Sequence, residues 1–211
     1  MPRISKLAPS TKVKGRWLCY LDDETILRVS EREVVSFSLY AGMDLDPAML
    51  EQLTAATRES ALRERALNLI STRPYSRKEL RDKLVAKDEP GEDSGPAAET
   101  VLDWLEHLGY LNDAEYAKTL VRHYSAKGYG QRKIQDELWK RGVSREYWAQ
   151  AQETAPPAED GIDAFLRRKL KGEIPDQKDL KRVSDALARR GYRWDEIKDG
   201  IQRYGAEIGE E

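Results

Sequence analysis

Apolar residues recur along this chain at i and i+4, the spacing that places two side chains on one face of a helix. Three such pairs have similar surroundings: Leu80 and Leu84, Ile134 and Leu138, and Val183 and Leu187. The second and third pairs are followed by two basic residues and a glycine, Lys140-Arg141-Gly142 and Arg189-Arg190-Gly191. Basic residues and then glycine are typical of a helix C-terminus. The pattern therefore predicts one short, basic, amphipathic helix that is used three times.

The repeated helices are evenly spaced. The equivalent residues Leu84, Leu138 and Leu187 lie 54 and then 49 residues apart. Each interval contains apolar stripes for three helices, and such a period is typical of stacked helical modules. We therefore predict a mainly α protein in which three tandem three-helix modules form an elongated, curved stack. The expected modules are residues 61–111 (module 1), 112–154 (module 2) and 159–205 (module 3).

The N-terminal extension, residues 1–60, has a different pattern. Residues 1–14 show no period and are predicted to be a mobile tail. Residues 16–21 and 25–29 are rich in strand formers and flank Asp22-Asp23-Glu24, which predicts a small β-hairpin packed on a helix near Val34 to Leu39. Asp46-Pro47 is typical of a helix start and opens a stripe that reaches about Thr72, with a candidate interruption near Ser60.

Capping residues mark further helix starts. The predicted caps are Ser76 with Glu79, Asn112 with Glu115, Ser144, and Asp176. Residues 87–98 are rich in Asp, Glu, Gly and Pro, a composition that favours a flexible loop. A third helix with Leu105 and Leu108 inward is expected to end at Gly109, and the last helix is expected to turn Trp194 and Ile197 inward.

Composition indicates a charged, helix-rich protein of the cytoplasm. Of its 211 residues, 35% are charged and 8% aromatic. No apolar run approaches the roughly 20 residues of a membrane span, so we expect no membrane association. The N-terminus lacks the apolar block of a secretory signal, and the single cysteine, Cys19, cannot form an internal disulfide.

Charge is distributed unevenly along the chain. The formal net charge is −2, yet residues 118–193 contain 18 Lys and Arg against 11 Asp and Glu, while the remainder contains 18 against 27. This bias predicts a polyanion or an acidic protein surface as the partner. The alternative is a solvated helical surface with no partner.

The candidate partner-binding residues come from the second and third repeated helices. On a helical wheel with Ile134 at zero, Leu138 lies about 40° away, whereas Arg132 and Trp139 lie on the far side. Trp139 either faces outward, where it could stack on a base or fill a protein pocket, or packs against the neighbouring module. Arg141 and its counterpart lie nearer the apolar line and could serve as C-terminal helix charges. The candidates are Lys127, Arg132, Lys133, Trp139, Lys140, Arg141, Lys181, Arg182, Arg189, Arg190 and Arg193.

Catalytic chemistry has little support in the sequence. Two histidines, His107 and His123, and one cysteine do not form a zinc-binding set. Gly128-Tyr129-Gly130 lacks the pattern of a phosphate-binding loop and is better explained as a helix cap and turn. We therefore expect no enzyme activity, no cofactor and no bound metal.

Three groups of residues in and beside module 2 have a recognisable order and spacing. They are Gly109-Tyr110-Leu111-Asn112-Asp113, then Lys127-Gly128-Tyr129-Gly130, then Ile134, Glu137, Leu138, Gly142 and Val143. This arrangement resembles the RecX family of bacterial regulators of the RecA recombinase. Residues 66–84 resemble the first module of that family, the likeness extends over about residues 61–204, and the hairpin is similar to an extension that some members carry. Gln131 and Tyr124 depart from the family pattern, which often has proline and arginine at these positions.

The resemblance implies an all-α protein that binds along the helical groove of the RecA filament on DNA. It also implies that RecA's ATP hydrolysis, strand exchange and co-protease stimulation are restrained, because filament growth is blocked or disassembly favoured. The expected partner is the RecA filament, with single-stranded or filament-bound DNA as a second partner and the chain itself a monomer. Two alternatives stay open: a general nucleic-acid-binding protein with helix-turn-helix-like modules, and a scaffold that binds proteins through its acidic N-terminal half.

Overall fold

In the computed structural model, which describes residues 1–86 and 93–209, the chain is mostly helical with a small N-terminal sheet. The strands are β1 (Ile4–Pro9), β2 (Arg16–Leu21) and β3 (Ile26–Ser30). The helices are α1 (Glu31–Ser36), α2 (Pro47–Ile70), α3 (Arg77–Val85), α4 (Gly95–His107), α5 (Asp113–Ala126), α6 (Gln131–Lys140), α7 (Trp148–Gln152), α8 (Ala158–Leu170), α9 (Gln177–Arg189) and α10 (Trp194–Gly209). The prediction of a mainly α protein with a small β extension is confirmed.

Contacts along the chain divide it into two compact units. Unit 1 comprises Met1–Pro74 and Leu80–Tyr110, and unit 2 comprises Tyr75–Glu79 and Leu111–Glu211. Helix α3 therefore begins in unit 2 and continues in unit 1.

The N-terminal sheet has three antiparallel strands in the order β1-β2-β3. The predicted hairpin is present as β2 and β3, but the predicted mobile tail is wrong, because residues 4–9 form β1. Ile4 is fully buried, and its N–H donates to the Met43 carbonyl at 2.9 Å. The partners of β1 are β2 and the segment around Met43, which local periodicity does not reveal.

Helix α2 begins as predicted, with the Asp46 carboxylate accepting a hydrogen bond from the Met49 N–H at 2.7 Å. It then runs without interruption through Ser60, so the break expected there is wrong. The Ser60 hydroxyl donates to the buried Glu33 carboxylate, which also accepts from the Ser30 N–H at 2.5 Å. The expected boundary between residues 60 and 61 lies within this helix.

Three expectations for helix ends need correction. Residues 87–92 of the expected flexible loop lie outside the described residues, but its end is helical, because α4 begins at Gly95 and buries Ala98. Leu108 follows α4 and is exposed instead of inward. Ser144 makes no side-chain cap and precedes a 3-10 helical turn, Arg145–Tyr147, that leads into α7.

Two hydrophobic clusters lie among the described residues of unit 2. One lies among α5, α6 and α7 and includes Leu120, Ile134 and Leu138; the other lies among α8, α9 and α10 and includes Leu166 and Leu187. The inward placement of the repeated apolar pairs is therefore confirmed. The caps at Asn112 and Asp176 are present, with hydrogen bonds from the Glu115 N–H at 3.0 Å and the Asp179 N–H at 2.7 Å. Trp194, expected inward, is 65% exposed at the start of α10.

Among the helices described, none is long and apolar enough to cross a membrane.

Candidate partner-binding surface

The arginine-glycine turns after α6 and α9 make the same kind of contact within unit 2. After α9, the Arg190 carbonyl accepts a hydrogen bond from the Gly130 N–H at 2.9 Å. After α6, the Arg141 carbonyl accepts one from the Ser76 hydroxyl. Gly130 and Ser76 are the residues that precede α6 and α3. Each turn therefore joins the end of one repeated helix to the start of the preceding one.

Glycine is required in the second of these turns for two reasons. Gly191 has a φ of +90°, in the left-handed region that favours glycine, and a Cβ there would collide with the backbone nitrogen of Lys133. Gly130 has ordinary backbone angles, but a Cβ there would lie 2.6 Å from the backbone of Gly191 and Tyr192. The two glycines permit a direct backbone-to-backbone approach of α6 and the turn after α9.

The Arg190 side chain reinforces this contact. Its Nη1 donates to the carbonyls of Lys127 at 3.2 Å and Gly128 at 3.0 Å, and its guanidinium carbon lies 5.6 Å from the ring centre of Tyr129 and 5.1 Å from that of Phe165. Carbonyls after a helix have no partner within the helix, so an arginine that binds them stabilises the turn. Arg190 therefore has a role inside unit 2.

Arg141, at the equivalent position of the repeat, is also used internally. Its Nη1 donates to Glu79 Oε1 at 3.2 Å and to the Tyr116 hydroxyl at 3.0 Å, and that hydroxyl donates to Glu79 Oε2 at 2.8 Å. Burial raises the pKa of Tyr116 to about 12, and the hydrogen bond to Glu79 and the charge of Glu79 act in the same direction. This network links α6, α5 and the first turn of α3.

The Tyr116 network predicts a loss of stability at high pH. The unfolded tyrosine has a pKa near 10, so the contribution of the neutral phenol is present below about pH 10 and is lost as the pH rises toward about 12. The difference between the unfolded pKa near 10 and the folded pKa of about 12 corresponds to roughly 2–3 kcal/mol of folding free energy. Urea denaturation from about pH 9 to about pH 11.5 should therefore show a steeper loss of stability in the native chain than in Tyr116→Phe.

The exposed residue Tyr110 provides the control for this measurement. A Tyr110→Phe variant should follow the native pH dependence. Equal pH dependence of the native chain and Tyr116→Phe would contradict the raised pKa.

Arg132 and Trp139 lie on the exposed side of α6 and take no part in these networks. Trp139 is 67% exposed, which decides between the two orientations that the sequence left open. Arg132 is also exposed, and within residues 1–86 and 93–209 its side chain forms no ion pair. Seven residues of helix rise separate them, or roughly 10 Å. One cation and one large aromatic side chain are thus presented on the same helix.

The two lysines of α6 are held by Glu137. Lys133 Nζ lies 3.3 Å and Lys140 Nζ 3.4 Å from Glu137 Oε1, and the Tyr124 hydroxyl donates to Oε2 at 3.0 Å. Burial alone would raise the pKa of Glu137, but the hydrogen bonds from Tyr124, Lys133 and Lys140 keep it below its usual value. A partner of these lysines must therefore compete with an internal carboxylate.

The remaining candidates differ in how free their charges are. Lys181 and Arg189 are exposed on α9 and form no ion pair with any described residue, whereas Arg182 pairs with Asp179 at 2.8 Å. Arg193 pairs with Asp195 at 3.0 Å. Lys127 Nζ lies 5.8 Å from the ring centre of Tyr124.

The candidates fall into two groups along α6. Because the turn after α9 binds the start of α6, Arg189 and Arg190 lie near the residues at that start, which are Lys127, Arg132 and Lys133. Trp139 and Lys140 lie toward the other end of α6.

A cleft between α8 and α9 adds residues that the sequence analysis missed. It has a volume of about 540 Å³, and besides Arg182 and Arg189 it is lined by Arg168, Lys169 and Lys171. The basic run at residues 167–171 was visible in the sequence, but helix α8 was interpreted only through its apolar stripe.

Over the described residues, no group of three or more His, Cys, Asp or Glu side chains is arranged to hold a metal ion.

Comparison with known proteins identifies the family. The family model described as "RecX, first three-helix domain" matches residues 63–105, and that described as "RecX, second three-helix domain" matches residues 112–151. The Regulatory protein RecX of Shigella dysenteriae serotype 1 is 32% identical over 164 residues, which cover 72% of this chain and 96% of that protein. The chain belongs to the RecX family.

Other RecX proteins differ in how much of their length is shared. The Regulatory protein RecX of Stenotrophomonas maltophilia is 34% identical over 67% of this chain and 85% of its own. That of Levilactobacillus brevis is 35% identical over 66% of this chain, and the present chain spans only about half, 52%, of its length.

Solved RecX structures have the same fold. A crystal structure of regulatory protein RecX superimposes with a TM-score of 0.70 and 22% identity, covering 94% of this chain and all of that one. RecX from Lactobacillus salivarius superimposes with a TM-score of 0.61 and 21% identity, covering 71% of this chain and 97% of that one. The first of these similarities covers almost the whole chain, so it includes most of the N-terminal extension of this RecX-family chain.

Proposed function

We propose that this RecX-family chain binds the RecA filament on DNA and restrains RecA's ATP hydrolysis, strand exchange and co-protease stimulation. It would do so in the cytoplasm by binding alone, without catalysis, through blocked filament extension or favoured disassembly. Its relatives are named regulatory proteins, which supports a regulatory role. Binding through a surface is consistent with the exposed basic residues of unit 2.

The observation that carries the proposal is the exposed side of α6 and α9. Arg132, Trp139, Lys181 and Arg189 project from helices whose opposite sides are buried, and none of the three cations forms an ion pair with a described residue. Tryptophan and arginine are the residues that contribute most often to binding energy at interfaces. The positive charges of Arg132, Lys181 and Arg189 suit a nucleoprotein filament, which presents phosphates and carboxylates.

The proposed contact surface is narrower than the original candidate set. Arg141 and Arg190 bind Glu79 and the carbonyls of Lys127 and Gly128, so we assign them to the internal structure of unit 2. Lys133, Lys140, Arg182 and Arg193 keep a secondary place in the surface because each already has an acidic partner. The pairs of Arg182 and Arg193 are exposed and worth at most about 1 kcal/mol, so they can be exchanged for a partner. Lys133 and Lys140, in contrast, share the largely buried Glu137.

A RecA assay tests this function directly. The full chain, at a concentration well below that of RecA, should lower the rate of DNA-dependent ATP hydrolysis by RecA. The double variant Arg132→Gln with Trp139→Ala should raise the concentration for half-inhibition at least about tenfold, or about 1.4 kcal/mol, because two binding residues are removed. Both residues are exposed, so the variant should keep the native melting temperature.

Tyr40→Ala is the matched control, since Tyr40 is an aromatic residue of similar exposure in unit 1. It should inhibit RecA like the native chain. Binding to bare duplex DNA without any effect on RecA would reject the proposal in favour of a general DNA-binding protein. Equal inhibition by the native chain and the α6 variant would reject the assigned surface.

A further inference from the structure

The cleft between α8 and α9 has a strongly one-sided charge. Five basic side chains line it: Arg168, Lys169 and Lys171 from the end of α8, and Arg182 and Arg189 from α9. In the part of the chain that the structure describes, its lining contains no carboxylate. Like charges that line one cleft repel one another, so an anion that enters the cleft would relieve that repulsion.

Most of these charges are available to a ligand. Arg182 forms an ion pair with Asp179 on its own helix, at 2.8 Å, but remains 69% exposed. Lys169, Lys171 and Arg189 form no ion pair with any described residue. Arginine presents a planar fork of N–H groups that matches phosphate oxygens, and lysine adds a mobile point charge.

The floor of the cleft gives no opportunity to read bases. It is formed by Phe165, Val183 and Ala186, which belong to the hydrophobic cluster of α8, α9 and α10. The Phe165 ring is only slightly exposed, and the guanidinium groups of Arg168 and Arg190 lie 5.8 Å and 5.1 Å from its centre. A nucleobase therefore has no free aromatic face to stack on, and the cleft offers charge alone. Contacts of this kind bind phosphates and carry no sequence information.

The basic track continues beyond the cleft. Arg189 lines the cleft and is followed by Arg190, whose carbonyl binds Gly130 at the start of α6, two residues before the exposed Arg132. An extended polyanion fits such a track better than a single small anion does. At about 540 Å³ the cleft has the size of a small-molecule site, so it accommodates a short segment of one nucleic-acid backbone.

We propose that the cleft between α8 and α9 binds the phosphates of a single nucleic-acid strand directly and without sequence preference. This inference extends the proposed function, because it gives the chain its own contact with DNA. Nucleic-acid binding by the cleft can be tested without RecA. The cleft proposal can therefore fail while the proposed regulation of RecA stands, and the regulation of RecA can fail while the cleft proposal stands.

Binding of the full chain to a fluorescein-labelled oligothymidylate tests the cleft, with fluorescence anisotropy measured over a series of salt concentrations. The variant Lys169→Gln with Arg182→Gln removes one charge from each wall. It should weaken binding about tenfold at roughly 0.1 M salt and should lower the slope of log K against log salt by about 1.4, since each phosphate contact with a single strand contributes about 0.7.

Two further variants make the result specific. Arg167→Gln with Lys178→Gln removes the same charge from the same two helices outside the cleft lining, and it should keep the native slope. Lys169→Arg with Arg182→Lys keeps both charges and should also keep the native slope of log K against log salt. An oligodeoxycytidylate should bind with an affinity close to that of oligothymidylate.

Three outcomes would overturn the proposal. One is an unchanged slope in the cleft variant, and another is an equal loss in the Arg167 and Lys178 variant, which would indicate diffuse attraction. The third is that the cleft variant binds a labelled polyglutamate peptide more weakly than the native chain does but binds the oligonucleotide equally well. The cleft would then be a site for carboxylates.

Discussion

Replacing Gly191 with alanine should lower the free energy of unfolding by about 2–5 kcal/mol. About 1–2 kcal/mol comes from placing a Cβ in the left-handed conformation, since Gly191 has a φ of +90°. Roughly another 1–3 kcal/mol comes from the collision of that Cβ with the Lys133 backbone, which cannot move without separating α6 from the turn after α9. Urea denaturation followed by circular dichroism measures the loss.

Gly172 is the matched control for this substitution. It also has a left-handed φ, +81°, but a Cβ there would meet no atom within 4 Å. Gly172→Ala should therefore cost only the conformational part, about 1–2 kcal/mol. If the two alanine variants were equally destabilised, the close approach at Gly191 would contribute nothing and its role as a joint between helices would be wrong.

Replacing Arg141 with methionine should lower the free energy of unfolding by about 2–4 kcal/mol. The substitution keeps most of the apolar stem but removes the hydrogen bonds that Arg141 donates to the Glu79 carboxylate and the Tyr116 hydroxyl. The side chains of Arg141 and Glu79 are only 27% and 19% exposed, so water replaces the lost contacts incompletely. Removing one partner from a buried pair costs about 3–5 kcal/mol, and partial exposure reduces this value.

Lys140→Met is the neighbouring control. Lys140 is the more exposed residue and forms only a surface pair with Glu137, so its replacement should cost less than about 0.5 kcal/mol. A double-mutant cycle with Glu79→Gln should give a coupling energy of about 1–2 kcal/mol between Glu79 and Arg141. Strictly additive effects would mean that the two side chains act independently.

Local sequence signals predicted most of the helices and the hairpin. Caps such as Asn112 and Asp176 form hydrogen bonds within three residues, so the atoms involved are close together in the sequence. The apolar pair of Ile134 and Leu138 is likewise a local pattern, and both residues are buried. Such features can be predicted because their energy depends on neighbours along the chain.

The errors arose where distant partners decide the structure. Residues 4–9 form a strand because β2 and Met43 supply its hydrogen bonds. Helix α2 continues through Ser60, and the hydroxyl of that residue donates to the Glu33 carboxylate 27 residues earlier. A helical wheel placed Trp139 on the far side of α6 but could not say whether another helix covers it.

The same distinction applies to the candidate surface. By itself the sequence determined the repeated basic helix, its inward apolar pairs, the glycines at its end and the excess of positive charge over residues 118–193. Only the tertiary structure decided which charges are used internally. Arg141 binds Glu79, 62 residues away, and Arg190 binds the carbonyls of residues 62 and 63 positions away. Arg132 and Arg189, in contrast, form no ion pair with described residues. Identical side chains at similar positions differ in role because long-range contacts, which no local pattern records, determine their surroundings.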